Sequence, residues 1–172
     1  MSLPEIQLAT DGDLNYALFK HDDIVSNSVR RGGYESELQT VSAELLAGHT
    51  DGIVLDIGGN LGSYVVPLAK ALPHFQYEVF EPQRIIYYQL CANIFLNRLS
   101  NVHAHQFGLS NTQMVQSYVM PDYNKETNIG AFSIDEETRE QEYECATKGS
   151  YEQIDGARLD GLEIQDFIPL IK

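Results

Sequence analysis

Cysteine is nearly absent: Cys91 and Cys145 are the two in 172 residues. They are too few and too far apart for a disulfide framework or a zinc site, and Cys91, among apolar helix-forming residues, reads as a small buried thiol. Positive charge is also scarce, with 11 Lys plus Arg against 25 acids and a formal net charge of −14. Such a chain is repelled by nucleic acid phosphates and anionic membranes, so neither is expected as a partner, and a neutral or cationic ligand is easier to accept. No apolar run approaches the ~18 residues of a membrane span. Met1-Ser2-Leu3-Pro4-Glu5 lacks the positive region and apolar core that open a secretory signal. The expectation is a cytoplasmic protein off the membrane. What is present is 43% hydrophobic residues, enough for a sizeable core in one domain.

Residues 1–32 mix polar, acidic and short apolar groups, with turn signals at Asp11-Gly12-Asp13 and Arg31-Gly32-Gly33, and read as a leader or cover. Residues 33–172 form the main domain. A helix is expected over Glu35–Leu46, where Leu38, Val41, Leu45 and Leu46 recur at helical spacing and Gly48 supplies a stop. Alternation follows: strand Ile53–Ile57, helix Leu61–Leu72, strand Gln76–Phe80, helix Ile85–Leu99, strand Val102–Phe107. That order predicts an α/β fold, a Rossmann-like parallel sheet with helices on both faces. Beyond it, Val115–Met120, Ala131–Ile134 and Glu142–Ala146 read as short strands in antiparallel hairpins, with the acid-rich run Asp135–Glu144 as a solvated loop or edge.

The centre of the functional reading is Asp56-Ile57-Gly58-Gly59-Asn60-Leu61-Gly62, a strand end turning through glycines into a helix. Small residues let the backbone approach a ligand there, and N–H groups at the helix start offer donors. A dinucleotide fingerprint needs Gly-x-Gly-x-x-Gly, and neither register supplies it. Asp56 stands where a pyrophosphate would be repelled, and suits a cationic cofactor without phosphates. Glu81 ends the next strand, 19 residues after Gly62, where an acid accepts hydrogen bonds from ribose hydroxyls. The competing reading of Asp56 is a strand-end acid that caps the following helix.

Val54-Leu55-Asp56-Ile57-Gly58-Gly59-Asn60-Leu61-Gly62 followed by Val79-Phe80-Glu81-Pro82 resembles an S-adenosylmethionine-dependent methyltransferase of the FkbM family. Weaker matches keep the same order: Tyr34-Glu35, Asn93 and Asn97, Gly108-Leu109-Ser110-Asn111, Asn128-x-Gly130 and Arg158-Leu159-Asp160. The resemblance implies S-adenosyl-L-methionine as cofactor and O-methylation of a hydroxyl on a saccharide or natural-product-like small molecule. It implies that Gly58, Gly59, Asn60 and Gly62 pass close to the methionine part, that Asp56 holds its ammonium and that Glu81 holds the ribose. Gln106 and Phe107 would contact the adenine, with plain core an equal reading for Phe107, and Tyr34 and Glu35 would close over the cofactor or form an ordinary turn and helix start. Asp160 matches a family position and reads equally as a cap.

No general base is indicated, because a displacement at a sulfonium needs chiefly alignment. His103 and His105 alternate on one strand face without a recognisable third ligand, so no metal is expected. In the family the Ile-Lys strand runs on into Ile-Asp-Val-Glu-Gly, whereas this sequence stops at Ile171-Lys172. The expectation is a C-terminally truncated domain in which Ile53–Ile57 has an incompletely paired side, open to homodimerisation through that edge. A different class stays open beside the enzyme: a non-catalytic nucleotide-binding domain that acts by assembling with another chain.

Overall fold

A computed structural model describes residues 3–124, 129, 147–164 and 166–172. The expected strands at Ala131–Ile134 and Glu142–Ala146, the acid-rich run, Cys145 and Asn128-x-Gly130 lie outside the described residues. The chain opens with the antiparallel hairpin β1 (Ile6–Asp11) and β2 (Leu14–Phe19), then α1 (Val25–Arg30) and α2 (Ser36–Leu46). The α/β alternation follows as β3 (Ile53–Ile57), α3 (Val65–Ala71), β4 (Gln76–Phe80), α4 (Arg84–Leu96) and β5 (Val102–His105). β6 (Gly108–Leu109), β7 (Met114–Pro121) and β8 (Thr147–Ala157) make a three-stranded sheet, and β9 (Leu170–Ile171) closes the chain. The four-stranded sheet is parallel throughout, in the order β5-β4-β3-β9. This is the α/β class that the alternation predicts.

Burial explains the central strands. Val54, Leu55 and Asp56 on β3, and Tyr77, Val79 and Phe80 on β4, are all buried, as expected for strands covered by helices on a parallel sheet. Helix boundaries follow backbone chemistry more closely than periodicity does. α3 begins at Val65, not Leu61, because Asn60 (φ 48°) and Gly62 (φ 89°) occupy the left-handed region, which a right-handed helix cannot contain. α4 ends at Leu96, not Leu99, where Arg98 turns left-handed (φ 56°).

The first residues are more deeply embedded than a leader or cover. Leu14, Tyr16, Ala17, Leu18 and Phe19 of β2 are buried, and β2 lies on α4 through three side-chain amides four residues apart. Gln89 Nε2 donates to Ala17 O (2.9 Å) and Asn93 Oδ1 accepts from Ala17 N–H (2.6 Å). Asn97 Oδ1 accepts from Asn15 N–H (2.9 Å) while its Nδ2 donates to Asn15 O (2.7 Å). Positions i, i+4 and i+8 share a helix face, so the amides act as a surrogate strand for backbone groups that burial would otherwise orphan.

The expectation of an incompletely paired β3 is overturned. β9 pairs with it in the register Val54↔Leu170 and Leu55↔Ile171. Flanking residues extend the ladder: Ile53 N–H donates to Phe167 O, Lys172 N–H to Leu55 O and Ile57 N–H to Lys172 O, each at 2.9 Å. A two-residue strand covers the whole side because the segment before Pro169 and the residue after Ile171 also bond, which removes the basis for dimerisation through an open β3 edge. The three-stranded sheet also departs from simple hairpins, since β7 is antiparallel to β8 but β6 is parallel to it. An Arg84–Glu152 ion pair ties that sheet to the start of α4.

Candidate functional site

The strand order locates a crevice before any side chain is considered. From β3 the chain steps outward through β4 and β5, then returns on the opposite side of β3 as β9. The connection from β3 leads to β4 on one side while β9 lies on its other side, and in open α/β sheets ligands bind outside the carboxyl ends of strands where the strand order reverses. Asp56 stands near the end of β3 and Lys172 directly follows β9. Lys172 Nζ lies 3.2 Å from Asp56 Oδ1, 3.9 Å from Glu35 Oε2 and 4.9 Å above the centroid of the Tyr64 ring.

Asp56 is fully buried, and its Oδ2 has no hydrogen-bond partner among the described residues. Its Oδ1 is in an ion pair with Lys172. Burial holds the Asp56 carboxyl above its ordinary range, Lys172 pulls it back, and Glu35 adds to the rise. Tyr64 is fixed in place by its hydroxyl, which donates to Ser42 Oγ at 2.8 Å. Glu35 precedes α2 in the left-handed conformation (φ 57°). Tyr34 packs on the main core, and its carbonyl accepts from Gln39 Nε2, which also donates to Ser63 O and so ties α2 to the glycine loop.

Glu81 is buried too, but each of its oxygens already accepts one hydrogen bond. Its Oε2 accepts the Asn60 N–H (3.0 Å) and its Oε1 the Gln83 N–H (2.9 Å). Burial pushes its carboxyl up to about 7, against the pull of those two N–H groups, and Asp56 adds to the rise. The rest of the loop is closed in the same way. Gly58 and Gly59 N–H donate to Phe80 O, Gly62 N–H to Gly59 O, and Leu61 N–H to Asn60 Oδ1. Five consecutive loop N–H groups, Gly58 to Gly62, thus have partners inside the protein. The loop itself therefore has no N–H to spare for a phosphate, and the donors expected at the helix start would have to come from beyond Gly62.

The glycines divide by task. A Cβ on Gly59 would lie 2.2 Å from Val79 Cγ1, and one on Gly62 3.0 Å from Leu90 Cδ1 and Val66 Cγ2, so these two serve packing. Gly58 (φ 83°) faces open space. It lines a cavity of about 380 Å³ together with Ile57 of β3, Phe80 and Pro82 at the end of β4, and Gly108 and Leu109 of β6. Gln106 is exposed outside that lining, and Phe107 packs on Phe80 (5.4 Å between ring centroids) and His105 (5.5 Å). Gly108 and Leu109 are among the cavity residues that the site reading missed, with Met114, Gln116, Ile154 and Asp155 of β7 and β8, although Gly108-Leu109-Ser110-Asn111 belongs to the pattern of the resemblance. Lys172 was missed as well, because it reaches Asp56 only through the β3–β9 pairing. A larger cavity, about 730 Å³, lies on the outer flank of α4 between Tyr87, Cys91, Phe95 and Val102, away from both acids. Size alone does not mark the site.

His103 Nδ1 and His105 Nε2 lie 3.2 and 2.5 Å from the two oxygens of Glu78 across β4 and β5. Among the described residues no three His, Cys, Asp or Glu side chains are arranged to hold a metal ion, and no helix is long and apolar enough to cross a membrane.

No protein-family model and no curated protein matches the sequence. Solved structures do. TYW2 from M. jannaschii in complex with AdoMet is similar over 69% of this chain and 66% of its own, at 13% identity and a TM-score of 0.43. Trm5b from Pyrococcus abyssi is similar over 60% of this chain and 28% of its own, at 16% identity and a TM-score of 0.40. A coclaurine N-methyltransferase bound to N-methylheliamine and SAH is similar over 59% and 28%, at 15% identity and a TM-score of 0.41. The chain therefore spans less than two thirds of the length of each.

Proposed function

We propose that the protein is an S-adenosylmethionine-dependent methyltransferase of the FkbM kind, acting on a hydroxyl of a saccharide or natural-product-like small molecule. The observation that carries this reading is the contrast inside the loop: a buried carboxylate, Asp56, with Lys172 at one oxygen and no partner at the other, beside Gly58–Gly62 N–H groups that are engaged inside the protein. Such a site keeps acceptor capacity for a further cationic donor, and its loop N–H groups have none to spare for a pyrophosphate, which favours a sulfonium nucleoside with an amino-acid tail over a nicotinamide dinucleotide.

In this reading Asp56 holds the ammonium, Gly58 leaves room for the chain along the cavity, and Glu81 uses its remaining lone pairs for the ribose hydroxyls. Gly108 and Leu109 take the adenine role that the resemblance gives to Gln106 and Phe107. When bound, the cofactor supplies a methyl group on positively charged sulfur. The protein's part is to fix orientation: Glu81 clamps Asn60 and thereby the loop, and Gln39 anchors Ser63 to α2. The chain's net charge of −14 disfavours a polyanionic acceptor and supports an uncharged hydroxyl.

Isothermal titration with S-adenosylmethionine, S-adenosylhomocysteine and NAD tests this. The first two should bind, and NAD should bind more weakly than either; NAD binding as tightly would overturn the reading. A methyl-release assay on hydroxylated acceptors then separates an enzyme from a binding domain that acts by assembly.

A further inference from the structure

Asp56, Glu35 and the face of Tyr64 surround one ammonium, that of Lys172, at 3.2, 3.9 and 4.9 Å. The cage is over-supplied with negative charge, having two carboxylates and an aromatic face for one cation. It is also unevenly filled. Lys172 reaches one oxygen of the more buried carboxylate, Asp56 Oδ1, while Oδ2 has no partner among the described residues, so the cage keeps acceptor capacity that Lys172 does not use. Lys172 keeps 24% of its side chain exposed and Glu35 keeps 34%, so the lysine can move toward Glu35 without leaving water or stranding its charge.

We propose that this cage is a site for a primary ammonium that Lys172 fills in the free protein, and that the amino group of a bound nucleoside cofactor takes Asp56 while Lys172 moves over to Glu35. The inference rests on the cofactor reading above and adds an internal competitor to it. Two cations cannot share one carboxylate in a buried crevice without repulsion, so the affinity for an amine-bearing ligand depends on whether Lys172 has somewhere to go. Glu35 provides that place. It is thereby a positioning residue, acting through Lys172 without touching the ligand.

The test is a double-mutant cycle read with two nucleosides. S-adenosylhomocysteine carries the amino-acid tail, and 5′-methylthioadenosine lacks it. Titration calorimetry should show Glu35→Gln weakening S-adenosylhomocysteine by roughly two- to fivefold while leaving 5′-methylthioadenosine unchanged, the size expected for losing one partly exposed ion-pair partner. In a Lys172→Met background, or Lys172→Gln should that fold better, the same Glu35→Gln change should have no further effect, because no lysine needs relocating. The inference is overturned by an unchanged affinity in the single variant, by equal losses for both nucleosides, or by the same loss in both backgrounds. A wild-type protein that binds neither nucleoside overturns the cofactor reading itself, and this inference with it.

Discussion

Two carboxylates at the ends of neighbouring strands, Asp56 on β3 and Glu81 after β4, are both buried, yet their surroundings are opposite. Glu81 is held by two backbone N–H groups, one from the loop and one from the approach to α4. Asp56 has no backbone donor, a lysine at one oxygen and no partner at the other among the described residues. A carboxylate that satisfies backbone donors is part of the architecture, and its loss leaves those donors orphaned. A carboxylate kept unsatisfied is costly to the fold and is explained by what it receives from outside. The two acids look equivalent in the sequence pattern and are not equivalent in the protein.

The largest effect should come from Glu81→Ala. It leaves the Asn60 and Gln83 N–H groups without acceptors, and urea denaturation should show a loss of about 2–4 kcal/mol. A loss below about 0.5 kcal/mol, the size of an ordinary surface substitution, would erase the distinction between the two acids. The pH dependence sharpens it further. The folded Glu81 carboxyl lies at about 7 against 4.5 when free, so its contribution is complete below about 4.5 and is lost as pH rises to about 7. That predicts a decline of up to about 3 kcal/mol across this window in the wild type. Denaturation midpoints measured from pH 5 to pH 8 should lose that component in Glu81→Gln, and parallel profiles for the two proteins would contradict it.

Asp56→Asn should behave the other way. Binding of S-adenosylhomocysteine should weaken by about 1.5–3 kcal/mol, the worth of a hydrogen bond to a charged group. Stability should move by less than about 1 kcal/mol, since Lys172 retains Glu35 and water. The smallest effect is expected for Gln106→Ala. Its side chain is exposed away from the cavity, so calorimetry should find affinity within about 0.5 kcal/mol of wild type.

The central strands were legible because burial on both faces leaves near-continuous apolar runs: Ile53–Ile57 and Gln76–Phe80 stand where the pattern places them. The glycine loop and Glu81 were legible as neighbours for the same reason. Helix starts were less so, since nothing in apolar spacing announces that Asn60 and Gly62 will turn left-handed. β1 and β2 flank the Asp11-Gly12-Asp13 turn, but the partners that bury β2 are amides on α4, more than 70 residues away. Periodicity carries no such information. Lys172 shows the same limit at the site: its meeting with Asp56 exists only through the β3–β9 register. The division of labour among Gly58, Gly59 and Gly62 likewise depends on Val79, Leu90 and Val66 coming within reach.

Asn93 does more than complete the amide row. Its Oδ1 receives the Ala17 N–H at 2.6 Å while its Nδ2 donates to Leu61 O at 2.7 Å, so one planar group is shared between the N-terminal hairpin and the glycine loop. The two ends of an amide cannot rotate independently. Opening the loop at Leu61 therefore levers the amide against Ala17, and Ala17's amide proton, remote in sequence from the crevice, should exchange with solvent at a rate set by how tightly the crevice is held.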